Sequence, residues 1–157
     1  MVAAVGRARD EPEARLLDEY WKRATGAGPR LGFTGFELAI VEISRRANAA
    51  QRCSEETEKL SRRLPAGAHR IVLDGTGKSL TSDEFAKLLS ALRDRGVGDV
   101  AYVIGGPDGL SPDFRSSAQQ QLAFGAQTWP HLLVRAMLAE QIYRALTILS
   151  GHPYHRA

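Results

Sequence analysis

Chemistry in this chain of 157 residues concentrates in three glycine-rich or polar segments and one C-terminal tail. The segments are Leu73 to Lys78, Gly105 to Leu110 and Phe124 to Trp129, and each follows a short apolar run. Gly105 and Gly106 let backbone approach a ligand closely and leave N–H donors exposed. In open α/β sheets ligands bind beyond the carboxyl ends of strands, so all three segments could line one ligand site. The tail His152-Pro153-Tyr154-His155-Arg156 carries two imidazoles, a phenol and a guanidinium. Tyrosine and arginine can stack on or pair with an RNA base and its phosphate, and a histidine can carry a proton.

Several other chemistries are excluded. Neither G-x-G-x-x-G nor G-x-x-x-x-G-K-[ST] is present, and Gly75-Thr76-Gly77-Lys78 lacks the first glycine and the spacing of a P-loop. This argues against a dinucleotide enzyme or a P-loop NTPase. His152 and His155 are separated by Pro153, so helical i,i+3 geometry is not available for a metal, and no metal is expected. Cys53 is the single cysteine, which rules out an intrachain disulfide. It reads as incidental rather than nucleophilic. No Ser-His-Asp arrangement stands out.

Composition frames these residues. Apolar residues make up 43% and charged residues 25%, close to a soluble globular average. No apolar run approaches a membrane span, and no secretory signal leads the chain. The expectation is one cytoplasmic domain over residues 1–157. Net charge is +3. The excess lies in residues 1–70, with 13 Lys+Arg against 10 Asp+Glu. Arg45 to Arg70 holds seven cations and three anions, and residues 114–157 hold four arginines against Glu140 alone. Two basic zones on a neutral body suit phosphates.

The elements that must position these residues alternate in type. Val2–Val5 reads as a strand. Asp10-Glu11-Pro12 opens a helix that Gly26, Gly28 and Pro29 end. Phe36 to Ile43 alternates as a strand. Ser54 with Glu55 and Glu56 starts a helix whose last turn holds Arg62 and Arg63. A strand over 70–74 runs into the Gly75 to Lys78 stretch. Thr81 to Glu84 is a capping box for a helix that Gly96 stops. Val100–Ile104 is a buried strand of parallel type. Ser111-Pro112 starts a further helix, and Leu122 to Phe124 is a last short strand. Thr128 and Pro130 open a final helix that runs to about Ser150. The order specifies an α/β fold with a mostly parallel sheet. The final helix is apolar around most of its circumference, which calls for a subunit interface as well as a core. Glu140 and Arg144 on it are spaced to pair.

Four stretches together resemble the RlmH family of SPOUT methyltransferases. They are Val103 to Leu110, Phe124 to His131, Arg135 to Ala145 and His152 to Arg156, in order and at matching spacing to the C-terminus. The resemblance spans essentially the whole chain. It implies S-adenosyl-L-methionine-dependent methylation of N3 of a pseudouridine in 23S rRNA, on assembled 70S ribosomes. It implies a SPOUT-type α/β fold, with a mostly parallel sheet flanked by helices, a C-terminal trefoil knot and a homodimer. It assigns cofactor binding to Leu73, Gly105, Phe124, Gly125, Ala126, Gln127, Thr128 and Trp129. These fall in the three segments singled out above. It assigns the catalytic tail to Tyr154, His155 and Arg156, with the tail of one subunit completing the cofactor pocket of the other. Tyr154 would position the base, His155 would act as general base or hydrogen-bond partner, and Arg156 would clamp base or phosphate. Arg7, Arg9, Lys22 and Arg23 would add rRNA contacts. Two other readings stand beside it: a SPOUT methyltransferase acting on another RNA position, and an inactive ribosome-binding module. The chain departs from the family in a short first strand and in Leu132 after His131.

Overall fold

The computed structural model describes residues 1–7 and 11–156. Their contacts group into two compact units, each assembled from three separated stretches of chain. The first unit comprises Met1–Arg7, Glu37–Ser79 and Asp99–His131. It holds a five-stranded, all-parallel sheet in the order β2-β1-β4-β3-β5. The strands are β1 (Val2–Val5), β2 (Leu38–Val41), β3 (His69–Ser79), β4 (Val100–Ile104) and β5 (Gln120–Ala123).

β1 is four consecutive buried residues, as expected for a central parallel strand covered on both faces. Its register is Val2↔Leu38 on one side and Val2↔Tyr102 on the other. Two helices belong to this unit, α2 (Ala49–Ser61) and α4 (Pro112–Ser117). Leu60 of α2 and Phe114 of α4 pack with Val5, Val41, Val72 and Val103 in its core.

The second unit comprises Ala8–Phe36, Leu80–Gly98 and Leu132–Ala157. It carries α1 (Pro12–Ala27), α3 (Ser82–Asp94) and nearly all of α5 (His131–Ser150). The Thr81 capping box of α3 is formed: Thr81 Oγ1 accepts from Glu84 N–H at 3.2 Å and Glu84 Oε2 accepts from Thr81 N–H at 2.8 Å. α3 meets α5 through Ser82 Oγ donating to Gln141 Oε1 at 2.9 Å, and α1 meets α5 through Tyr20 and Tyr143, ring centroids 6.3 Å apart.

Several boundaries differ from the sequence expectation for physical reasons. α1 runs through Gly26, and Gly28 then leads a short 3-10 turn to Leu31. A side chain at Gly28 would fall 2.4 Å from the Phe36 ring, so this glycine serves packing as much as termination. α2 starts at Ala49, well before Ser54, because Asn48 Oδ1 caps it by accepting from Ala50 and Gln51 N–H. Lys59 occupies its last turn, and Arg62 is the C-cap. β3 continues through Gly75 to Lys78 as strand. α5 begins at His131 rather than Thr128. Asp10, which helped to mark the start of α1, lies outside the described residues, as does Arg9. Pro12 does occupy the first turn. Among the described residues no helix is long and apolar enough to cross a membrane.

Candidate functional site

The carboxyl ends of parallel strands share one edge of a sheet. β3 lies between β4 and β5, with Leu73 in register with both Ile104 and Leu122. Leu73 is thus flanked at that edge by the strand residues that lead into Gly105 and toward Phe124.

Each strand ends there for a local reason. After Ile104 the chain turns tightly, and Gly109 N–H donates to Gly106 O at 2.9 Å. A Cβ on Gly105 would sit 2.5 Å from the Gly109 carbonyl carbon, so only glycine fits. Gly109 itself has φ +80°, the left-handed region. Beyond Leu73, Asp74 Oδ1 accepts from Thr76 N–H at 3.0 Å and Thr76 Oγ1 at 2.6 Å, and Oδ2 accepts from Arg115 Nη1 at 3.0 Å. Burial acts to raise the Asp74 pKa, but the bonds from Thr76 and Arg115 outweigh it and hold the carboxyl below its ordinary value.

β3 also bends over β5 here: both Leu73 and Lys78 register with Leu122, so residues 74–77 arch past it. Gly77 is pressed on Leu122, where a Cβ would lie 2.6 Å from the backbone nitrogen and carbon. After β5, Gly125 takes φ +91° and Trp129 Nε1–H donates to Phe124 O at 2.9 Å, which closes residues 124–129 into a loop. Ala126, Gln127 and Thr128 fill it, with Gln127 Oε1 placed 2.7 Å from where a Gly125 side chain would begin. Trp129 is 39% exposed, a large aromatic surface beside the strand ends.

Sequence reasoning missed the support beneath the Gly105 to Ser111 turn, which comes from one face of α2. Arg52 makes a forked pair with Asp108, Nε–Oδ2 at 2.7 Å and Nη2–Oδ1 at 3.1 Å. The Cys53 thiol donates to Asp108 O at 3.0 Å, and Thr57 Oγ1 accepts from Ser111 N–H at 3.0 Å. Glu56, 1% exposed, accepts from Ser44 N–H at 2.7 Å. Burial pushes the Cys53 thiol pKa up, and the Asp108 and Glu56 carboxylates push it further. The signal that could have found this face is the i, i+1, i+4, i+5 spacing of residues 52, 53, 56 and 57, once the helix is started at Asn48.

The tail lies in the second unit. Tyr154 Oη donates to Glu140 Oε1 at 3.0 Å, and its ring packs on Tyr143 with centroids 4.8 Å apart. Arg144 pairs with Glu140 at 2.6 Å, the expected i,i+4 partner, and sits 4.9 Å over the Tyr154 ring. Burial raises the Tyr154 pKa, and the Tyr20 and Glu140 contacts raise it further, so the phenol stays protonated. His155 Nε2 is 3.8 Å from Asp83 Oδ1, while its Nδ1 is buried with no hydrogen-bond partner among the described residues. Arg156 is exposed. Of the other cations, Arg23 is tied to Glu19 at 2.6 Å, Arg7 lies 3.6 Å from Glu42, and Lys22 is exposed. Arg135 of α5 is buried, and burial pushes its guanidinium down to about 10.

The family model described as "Predicted SPOUT methyltransferase" matches residues 1–155. The ribosomal RNA large subunit methyltransferase H of Bradyrhizobium diazoefficiens is 49% identical over 158 residues, 99% of this chain and 98% of that protein. The protein of the same name from Hyphomonas neptunium is 50% identical over 156 residues, 99% and 97% of the two chains. A solved probable methylase family protein from Haemophilus influenzae shares the fold, with TM-score 0.51 and 11% identity over 99% of this chain and 70% of that one. The chain belongs to the SPOUT methyltransferase family.

Proposed function

We propose that this protein transfers a methyl group from S-adenosyl-L-methionine to 23S ribosomal RNA, at N3 of a pseudouridine on the assembled 70S ribosome, in the cytoplasm. The observation that carries the reading is near-50% identity along the whole chain to relatives named for methylation of large-subunit ribosomal RNA.

The edge built by Leu73, Gly105 and residues 124–129 suits the cofactor. Gly105 and Gly106 are buried rather than exposed, because the Gly109 backbone and the Glu56 carboxylate fill the space a side chain would take, so they shape the turn, while Trp129 presents an aromatic face whose own N–H is already satisfied by Phe124 O. When bound, the cofactor supplies a methyl group already activated by a sulfonium. The protein must then align that group with N3 and accept the N3 proton. On transfer the N3 proton would have to pass to a base of this chain. His155 takes that proton in this reading. Tyr154, held protonated with its O–H given to Glu140, positions the target base with its ring, and Arg156 grips a phosphate.

The working form is a homodimer in which the tail of each copy completes the other's cofactor edge. Leu132, Leu133, Val134 and Met137 of α5 are only partly buried and would be covered by the second copy. The trefoil knot would place the arch of β3 over Leu122 among its crossings.

The test is transfer of labelled methyl to 70S ribosomes lacking the modification, beside free 23S rRNA and separated subunits. Label on 70S alone, mapped to N3 of one pseudouridine, is the expected result. Label on free RNA or at another position overturns the specificity. No transfer from protein that binds cofactor overturns the substrate.

A further inference from the structure

The carboxylates at the carboxyl edge of the first unit's sheet are not partnered alike. Asp74 is neutralised by Arg115 and Asp108 by Arg52. Glu56 makes no ion pair of its own among the described residues, although the Arg52 guanidinium feels its charge. Its Oε1 accepts from Ser44 N–H at 2.7 Å, and its Oε2, buried, has no hydrogen-bond partner among the described residues. That oxygen lies against the glycine turn, 2.6 Å from where a Cβ of Gly106 would stand. A buried carboxylate with one donor is costly to keep, and such breaches of packing logic gather at functional sites. Here the breach is built in from both sides, since Gly106 has no side chain where the carboxylate needs room and α2 fixes the carboxylate's backbone through Arg52, Cys53 and Thr57.

We propose that Glu56 is a specificity-determining residue of the cofactor edge, whose buried carboxylate behind Gly106 favours the positively charged sulfonium cofactor over its neutral thioether product. The inference rests on the cofactor reading given above. It makes the charge of Glu56 a device for turnover: the substrate cofactor is attracted, and the attraction ends when the methyl group and the positive charge leave the sulfur. Two neighbours register the same field: after burial, the Asp108 and Glu56 carboxylates raise the Cys53 thiol pKa, and after the Asp108 hydrogen bond, Glu56 adds to the rise at the Arg52 guanidinium. Only the sulfonium form carries the positive charge, so removing the carboxylate's charge is read in the ratio of the two affinities rather than in either alone.

The experiment is calorimetric titration of the full-length protein with S-adenosyl-L-methionine and, separately, with S-adenosyl-L-homocysteine. Wild type is compared with Glu56→Gln, which keeps the side-chain volume and the Ser44 acceptor. The expected result is a drop of about tenfold in the ratio of the two affinities. Arg52→Gln works in the opposite direction and leaves Glu56 in place. It frees the charge of Asp108, so the ratio rises. Taking the ratio cancels any general loosening of the turn, which a merely structural role would produce. Equal weakening of both ligands in Glu56→Gln overturns the inference, as does an unchanged or lowered ratio in Arg52→Gln. Wild-type protein that binds neither ligand overturns the cofactor reading and the inference with it.

Discussion

Gly75 and Gly77 lie two residues apart in β3, and alanine at the two positions should behave oppositely. A Cβ at Gly77 would stand 2.6 Å from Leu122 N and C and 2.7 Å from Gln121 C. Ordinary contact begins at 3.4 Å, so backbone of β3 or β5 must yield by about 0.8 Å. No flexible side chain is there to give way. Overpacking of this kind costs about 1–3 kcal/mol. In a protein of this size 1 kcal/mol moves the melting temperature by about 2–4 °C, so Gly77→Ala should melt about 2–12 °C lower. A Cβ at Gly75 meets nothing within 4 Å, and its φ is not in the left-handed region. Gly75→Ala should stay within about 0.5 kcal/mol of wild type. Thermal and urea unfolding of both variants, followed by circular dichroism, gives the comparison. Because Leu122 leads directly into residues 124–129, Gly77→Ala should also weaken cofactor binding. Equal unfolding midpoints for the two variants would refute the close approach of β3 to β5.

Three further outcomes follow from the site and its supports. Lys59 first, then Ser44 and Arg46, hold the Glu55 carboxyl at about 2, against an ordinary 4.5. Its contribution to stability is fully present above pH 4.5 and is lost as pH falls toward 2, so Glu55→Gln should flatten the acid limb of the urea midpoint across that window. Tyr154→Phe removes the hydrogen bond to Glu140 without removing a proton acceptor, so the rate should fall while the pH profile of methyl transfer keeps its shape; loss of the rise in rate with increasing pH would make Tyr154 the base. Arg156→Gln should raise the KM for ribosomes, leave cofactor affinity unchanged and reduce the slope of log affinity against log salt by about 1. An unchanged slope would remove Arg156 from phosphate contact.

The parts of this fold that were legible in the sequence are those written in local chemistry. The apolar runs at residues 2–5 and 100–104, the Thr81 capping box and the Glu140–Arg144 pair all depend on near neighbours, and all are present. The α2 start at Asn48 was local too, but the acidic pair at 55–56 is a stronger-looking start signal, and its real task is tertiary: Glu55 holds Lys59, Ser44 and Arg46, and Glu56 reaches the Gly106 turn. The continuation of β3 through Gly75 to Lys78 was hidden because glycines normally end strands. Here Gly77 is required by the approach of β5, a partner more than 40 residues away that no local pattern announces. The three glycine-rich or polar segments were recognisable as ligand-type strand ends, and the register of β3 with β4 and β5 explains their adjacency. The brace from α2 was not recognisable, since Arg52 and Cys53 look like solvated or incidental residues until Asp108 is brought to them.

The parallel sheet also sets a timetable for synthesis. β3 is made before both of its neighbours, and Ile71 waits about 50 residues for its partner Gln120. At about 5–20 residues per second, that edge stays open for roughly 2.5–10 s on a translating ribosome. An unpaired edge rich in Ile, Val and Leu is a template for wrong pairing with another chain. The protein is therefore most vulnerable to aggregation between the emergence of β3 and that of β5. Slower elongation through residues 80–120 should lengthen that exposure, and chains truncated before β5 should collect in the insoluble fraction.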